Sequence, residues 1–119
     1  MKKLTLALLG SALLAVAPVA PAADLAAGQA AYQKFNCASC HGADAKTSTM
    51  PSYPILAGQH ADYLEHALRA YKKGQQGEPA SANVRKNAIM GAFAVQLSSQ
   101  DMKDISAWLS SLPSPLGTK

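Results

Sequence analysis

The chain has 119 residues, 49% of them hydrophobic and 6% aromatic, and a formal charge of +4, which bounds it to one small domain. Lys2 and Lys3 belong to a stretch expected to be removed, and without them the charge falls to +2. A charge that small gives no basis for nucleic-acid binding.

Met1-Lys2-Lys3 is a short basic start, followed by the apolar run "LTLALLGSALLAVAPVA". This is the pattern of a secretory signal peptide, and Ala20-Pro21-Ala22 has the small-x-small form of a cleavage site. Cleavage is expected after Ala22, with Ala23 as the alternative, giving a leader over 1–22 and a single domain over 23–119. A membrane anchor fits less well: Gly10, Pro18 and Pro21 interrupt the run, which is short for a span of ~20 residues. No later segment is apolar enough to span, so the mature form is expected to have no membrane span. A mature chain of this size buries only about 60–65% of its surface on folding, so something further must help stabilise it.

Three helices are predicted. The first covers Asp24 to Phe35, with Asp24 as N-cap and Leu25, Gly28, Tyr32 and Phe35 at helical spacing. A glycine inside a helix costs about 1 kcal/mol relative to alanine, which makes sense if another helix approaches there. The second covers Gln59 to Lys73, with Tyr63, Leu64, Ala67, Leu68 and Tyr71 on one face. Lys72 and Lys73 suit its last turn, and Gly74 reads as its stop. The third starts at Ser98 or Ser99 and ends near Leu112, before Pro113. With Ser98 as N-cap, Asp101 takes the capping-box place, and Leu97 and Met102 form a hydrophobic staple. Ile105, Trp108, Leu109 and Leu112 give its buried face.

The connections, from Gly42 to Gly58 and from Gly74 to Asn87, are rich in Pro, Gly, Ser and Thr. No strand alternation or internal repeat appears. The fold class is therefore all-α, three main helices with long loops, and such loops make sense if they wrap a large non-protein group.

The stretch "FNCASCHG" carries the chemistry. A structural zinc site needs four ligands, no further cysteine follows Cys40, and His60 and His66 lie outside the usual pair spacing. A redox dithiol needs a strand–helix setting that is missing here. A disulfide from Cys37 to Cys40 would close a very small, strained loop. C-x-x-C-H is the pattern of covalent haem attachment. Each thiol adds across one vinyl group, and the next residue, His41, falls beneath the iron as its proximal ligand. Export agrees, and the flat apolar haem supplies the missing core.

The sixth iron position is open to Met50, Met90, Met102, His60, His66 or no residue. Met102 already has a core role, Met50 is only nine residues past His41 in a Ser/Thr loop, and the histidines lie on the second helix. Met90, at the end of "RKNAIM" and outside the regular helices, is the expected ligand. Its alternative is that of a core gap-filler.

These residues resemble the class I c-type cytochromes, within them the small bacterial periplasmic mono-haem proteins of c-four, c-five and c-553 type. "CASCHG" matches the attachment motif. Gly28 and Tyr32 are similar to the glycine–aromatic pair that crosses the last helix at Trp108 and Leu109. "YPILAGQ" followed by "DYLEHALRAYKKG" resembles the c-four type, as does "RKNAIM" followed by the C-terminal helix. The resemblance implies a cytochrome c fold around one covalently bound haem c with its iron. It implies that the Pro54 carbonyl accepts the His41 Nδ1 proton, that Leu56 packs on the haem, and that Met90 is the second ligand. Asn87 and Arg85 are candidates for bonds near Met90 or a haem propionate. In two respects the chain departs from the c-four type: it has one attachment motif instead of two, and the "GQQGEPASANVR" loop is longer.

The expected function is that of a soluble periplasmic electron carrier, not an enzyme, moving single electrons between redox partner proteins. Lys46, Lys72, Lys73 and Lys86 are candidates for steering an acidic partner. The competing functions are a haem subunit dedicated to one periplasmic oxidoreductase, and a haem enzyme or sensor with an open sixth site. Monomer and homodimer both stay open.

Overall fold

The computed structural model describes residues 16–115. Most of the expected leader, residues 1–15 with the basic start, lies outside the described residues. From Val16 to Asp24 the chain is irregular, and the Pro21 and Ala22 carbonyls accept bonds from Lys103 Nζ (3.1 Å) and Gln100 Nε2 (3.3 Å). The described residues form five α-helices, α1 (Leu25–Lys34), α2 (Ala38–His41), α3 (Ala61–Gln75), α4 (Ala88–Ala94) and α5 (Ser99–Ser111), with one 3₁₀ turn at Ala80–Ala82. No strand occurs among them, and the all-α class holds.

α1 begins where Asp24, in an extended conformation, accepts the Ala27 N–H at 3.0 Å. Its packing on α5 is the centre of the fold. A Cβ on Gly28 would collide with the Asp104 carbonyl oxygen and stand 2.8 Å from the Trp108 Cβ. The absent side chain therefore lets two backbones meet, which repays the helix cost of the glycine. Next along the contact, the Tyr32 and Trp108 rings lie 5.0 Å apart, tilted by 50°. Burying a large apolar side chain is worth ~1.5–3 kcal/mol, so this pair, with Ile105 and Leu109, carries much of the stability.

α5 starts with the expected capping box. Ser98 Oγ accepts the Asp101 N–H at 3.0 Å, and Asp101 Oδ2 accepts the Ser98 N–H at 2.8 Å. Leu97 and Met102, the predicted staple, are both buried in the core. Leu64 of α3 is buried in the same core and Leu68 packs against it.

Two expectations are corrected. Gly74 does not end α3: the helix continues to Gln75, and the chain leaves through Gln76 and Gly77 (φ 79°). The glycine serves a close approach, because a Cβ there would strike the Arg85 carbonyl oxygen. Met90 is not outside the regular helices either. It is the third residue of α4, which Asn87 caps by accepting the Ile89 and Met90 N–H groups, both at 3.0 Å.

The long 42–58 connection is fixed by backbone bonds. Leu56 and Ala57 both donate to the carbonyl of buried Ala45 (2.9 and 3.0 Å), and Gly58 donates to the Leu109 carbonyl at 2.8 Å. The loop is thereby pinned to α5 beside the cysteine motif.

Candidate haem-binding site

Asn36, at φ 58°, turns the chain from α1 into α2. The Cys40 and His41 N–H groups both donate to the Cys37 carbonyl, at 3.3 and 3.1 Å. Residues three and four apart on such a turn share a face, so Cys37, Cys40 and His41 are presented together. Both cysteines are free thiols, and both are half-buried. Burial pushes the Cys37 thiol up to about 11, so it is protonated at neutral pH.

His41 is buried, and its Nδ1 lies 3.1 Å from the Pro54 carbonyl oxygen. Burial lowers the imidazole below its ordinary range, and the Pro54 bond opposes this in part. With Nδ1–H given to Pro54, Nε2 keeps a free lone pair, which is the state a metal ligand needs. The Tyr53 ring stands 6.3 Å from the imidazole, and Leu56 is partly buried against the core close by in sequence.

The buried Tyr32 hydroxyl donates to the Gly42 carbonyl at 2.8 Å, which ties α1 to the residue following the motif. Sequence reasoning missed this bond, and it missed α4. The N-cap pattern of Asn87 ahead of an apolar stretch was the available signal for α4.

Among the candidate sixth ligands, Met102 is 1% exposed in the core and Met50 is 50% exposed on the 42–58 loop. His60 precedes α3 and His66 is exposed on it. Met90 is half-buried on α4, with its own N–H fixed by Asn87. Asn87 thus serves Met90 through the backbone. Arg85 Nη2 donates to the Tyr63 hydroxyl at 3.2 Å, and its guanidinium lies over the Tyr63 and Tyr71 rings, 5.4 and 5.6 Å from their centroids.

This donor set fits a covalently held haem. Two free thiols and an oriented imidazole share one helical turn, and apolar Phe35, Ala38, Leu56 and Leu68 are left partly buried against the core. Among the described residues no three His, Cys, Asp or Glu side chains gather into a metal cluster, so the set does not match a bare-ion site. Nor is any described helix long and apolar enough to cross a membrane.

Comparison with known proteins bears on the kind of domain. The family model described as Cytochrome c matches residues 25–113. Cytochrome c-554(548) of Halomonas halodenitrificans is 40% identical over 90 residues, covering 76% of this chain and 98% of that protein. The thiosulfate dehydrogenase electron acceptor of Stutzerimonas stutzeri is 34% identical over 122 residues, 97% of this chain and 51% of that one. The crystal structure of reduced recombinant cytochrome c4 from Pseudomonas stutzeri superposes with a TM-score of 0.66 at 39% identity. The match covers 77% of this chain and 47% of the c4 chain, so the present chain corresponds to about half of that larger relative.

Proposed function

Because the chain belongs to the cytochrome c family, we propose that it is a soluble periplasmic carrier passing single electrons between redox partner proteins through a His41/Met90-ligated haem. Family membership establishes a covalently bound haem c with its iron, an electron-transfer role and no catalysis of its own. The proposal adds the residues and the setting. Residues 1–22 would be the leader and 23–119 the haem domain, with Cys37 and Cys40 as the residues that would tether the haem and His41 and Met90 as those that would hold its iron.

The observation that carries this reading is the His41 ring, buried on the face it shares with Cys37 and Cys40 and held through Nδ1 by the Pro54 carbonyl. When bound, the haem supplies a one-electron iron couple, and a thioether opposite an imidazole favours the ferrous side relative to two histidines. The chain's own residues do the rest. Pro54 keeps the proton on Nδ1 and the lone pair on Nε2. Asn87 fixes the start of α4 and with it the Met90 backbone. Leu56 supplies apolar cover. A ligand set held this firmly changes little with oxidation state, which suits rapid outer-sphere transfer. His41 and Met90, both binding the iron, would leave it no position for a substrate.

The test is the spectrum of the oxidised protein. A weak far-red methionine–iron band is expected in the parent and lost in Met90→Ala. Ready binding of carbon monoxide to the reduced parent, with no ligand to displace, overturns the ligand assignment.

The likeness to a thiosulfate dehydrogenase electron acceptor supports a second reading, in which the chain serves one periplasmic oxidoreductase. Stable co-purification with a single enzyme favours that reading, and indifferent turnover with several donors opposes it. A monomer accords with either reading, and so does a homodimer.

A further inference from the structure

The loop after α3 forms a cleft against the helix it follows. Its wall is fixed to the helix at three points. The Arg85 N–H donates to the Ala70 carbonyl at 3.0 Å, Lys73 Nζ reaches the Ala82 carbonyl at 3.4 Å, and Gly74 lets the Arg85 carbonyl approach. Between loop and helix lies a cleft of about 470 Å³, lined in part by Tyr63, His66, Arg69, Lys73 and Arg85. A second cleft of about 220 Å³ shares Arg69 and Lys73 and continues to Lys72. At 100° per residue, positions 63, 66, 70 and 73 lie on the side of α3 away from Leu64 and Leu68. The groove is therefore on the outer face of the helix.

Its electrostatics are one-sided. Lys72 Nζ is held by the Leu97 carbonyl at 2.7 Å, Lys73 Nζ by the Ala82 carbonyl, and Arg85 by a phenol and two ring faces. Each cation is fixed by a neutral partner. Side-chain freedom has already been given up, while the charge remains uncompensated. Arg69 is the exception, paired with Glu65 at 2.6 Å. No carboxylate lines the larger cleft, and Glu78 at the smaller one is the single acid of the two linings. From position 66 to position 73 the helix rises ~10 Å, more than one small oxoanion can bridge.

We propose that this groove docks an extended acidic segment of a partner protein, its carboxylates meeting Lys73 and Arg85 on the outer face and Lys72 where the smaller cleft turns toward α5. The inference rests on the carrier reading and deepens it. The contact is made on the outer face of α3, and none of Cys37, Cys40 and His41 lines it. Docking here steers and selects the partner while the haem site stays uncovered.

The experiment is an amide NMR titration of the haem-loaded, reduced protein with a deca-glutamate peptide at low salt. Shifts are expected on the outer face of α3 and over 82–86, and they should disappear in 0.5 M salt. Lys73→Gln and Arg85→Gln are each expected to weaken binding about two- to five-fold, and Lys103→Gln on α5 to leave it unchanged. If Lys73→Gln disturbs the loop, Lys73→Glu in a protein of unchanged melting temperature must weaken binding further. Shifts centred on Cys37, His41 or Met90, or affinities indifferent to these variants, overturn the proposal. So does inorganic phosphate producing the same shifts at equal ionic strength, which would make the groove a small-anion site. Peptide binding does not depend on Met90, so a parent lacking the far-red band but binding on α3 sinks the carrier reading alone.

Discussion

Asp104 Oδ1, buried on α5, accepts the backbone N–H of Asp24 at 2.9 Å and the Gln100 side-chain amide at 2.8 Å. One carboxylate thus ties the start of the first helix to the last helix across 80 positions of sequence. The bond lies beside the place where Gly28 lets the two backbones touch, so the acid and the glycine serve one contact.

Replacing Asp104 by Ala leaves the Asp24 N–H and the Gln100 amide without their acceptor. A loss of about 1–3 kcal/mol is expected, read as a fall in the melting temperature of the haem-loaded protein. Asp104→Asn retains an acceptor and should lose less. Equal losses for Ala and Asn would mean that the carboxylate charge, rather than the hydrogen bond, carries the effect.

Gly28→Ala is expected to destabilise the same contact, although alanine is the better helix former. The new methyl group meets the Asp104 carbonyl, which belongs to a helix backbone and has nowhere to move. Overpacking of this kind costs ~1–3 kcal/mol, and the tilted Tyr32–Trp108 pair should be displaced with it. The near-ultraviolet circular dichroism of the aromatic side chains reports that shift. A variant as stable as the parent, with an unchanged aromatic signal, would show that α1 and α5 meet elsewhere.

Ser106→Ala should act in the opposite direction. Ser106 Oγ is buried and, among the described residues, has no hydrogen-bond partner. A buried hydroxyl left unpaired costs ~1–3 kcal/mol, and alanine removes it with little change in volume while improving helix propensity. A rise in melting temperature with an unchanged visible spectrum is expected. A fall would reveal that the hydroxyl is satisfied after all.

These contacts mark what could be read from the residues. The frames of α1, α3 and α5 were legible because their apolar spacing runs over several turns and strong caps, Asp24 and Ser98 with Asp101, mark two of their starts. Cys37, Cys40 and His41 were legible because haem attachment needs those residue types at that spacing. α4 was not, since seven residues with Gly91 in the middle give barely two turns of pattern. Gly74 was misread because a helix stop and a close backbone approach both call for glycine, and only the position of the Arg85 carbonyl separates them. The Pro54 carbonyl is a backbone acceptor that any residue possesses, so only the family resemblance could suggest it. The place of Arg85, between tyrosines about two turns apart on α3, left no trace in local sequence.

The turn after the haem motif yields a prediction in pH. The exposed Asp44 carboxylate accepts the Thr47 N–H at 2.7 Å, the Lys46 N–H at 3.0 Å and the Thr47 hydroxyl at 2.7 Å. These bonds, the Thr47 N–H foremost, pull the carboxyl from its ordinary 3.8 down to about 2. A depressed acid stabilises the fold in its ionised form. The contribution is therefore fully present above about pH 4 and is lost as pH falls from 3.8 toward 2. Asp44→Ala should melt below the parent at pH 5–7 by a constant margin, and that margin should close as pH falls toward 2. Asp44→Asn, which keeps an acceptor but no charge, should lie between the two. A margin that persists unchanged through that acid range would assign the turn's stability to packing around Ala45 instead of to the Asp44 charge.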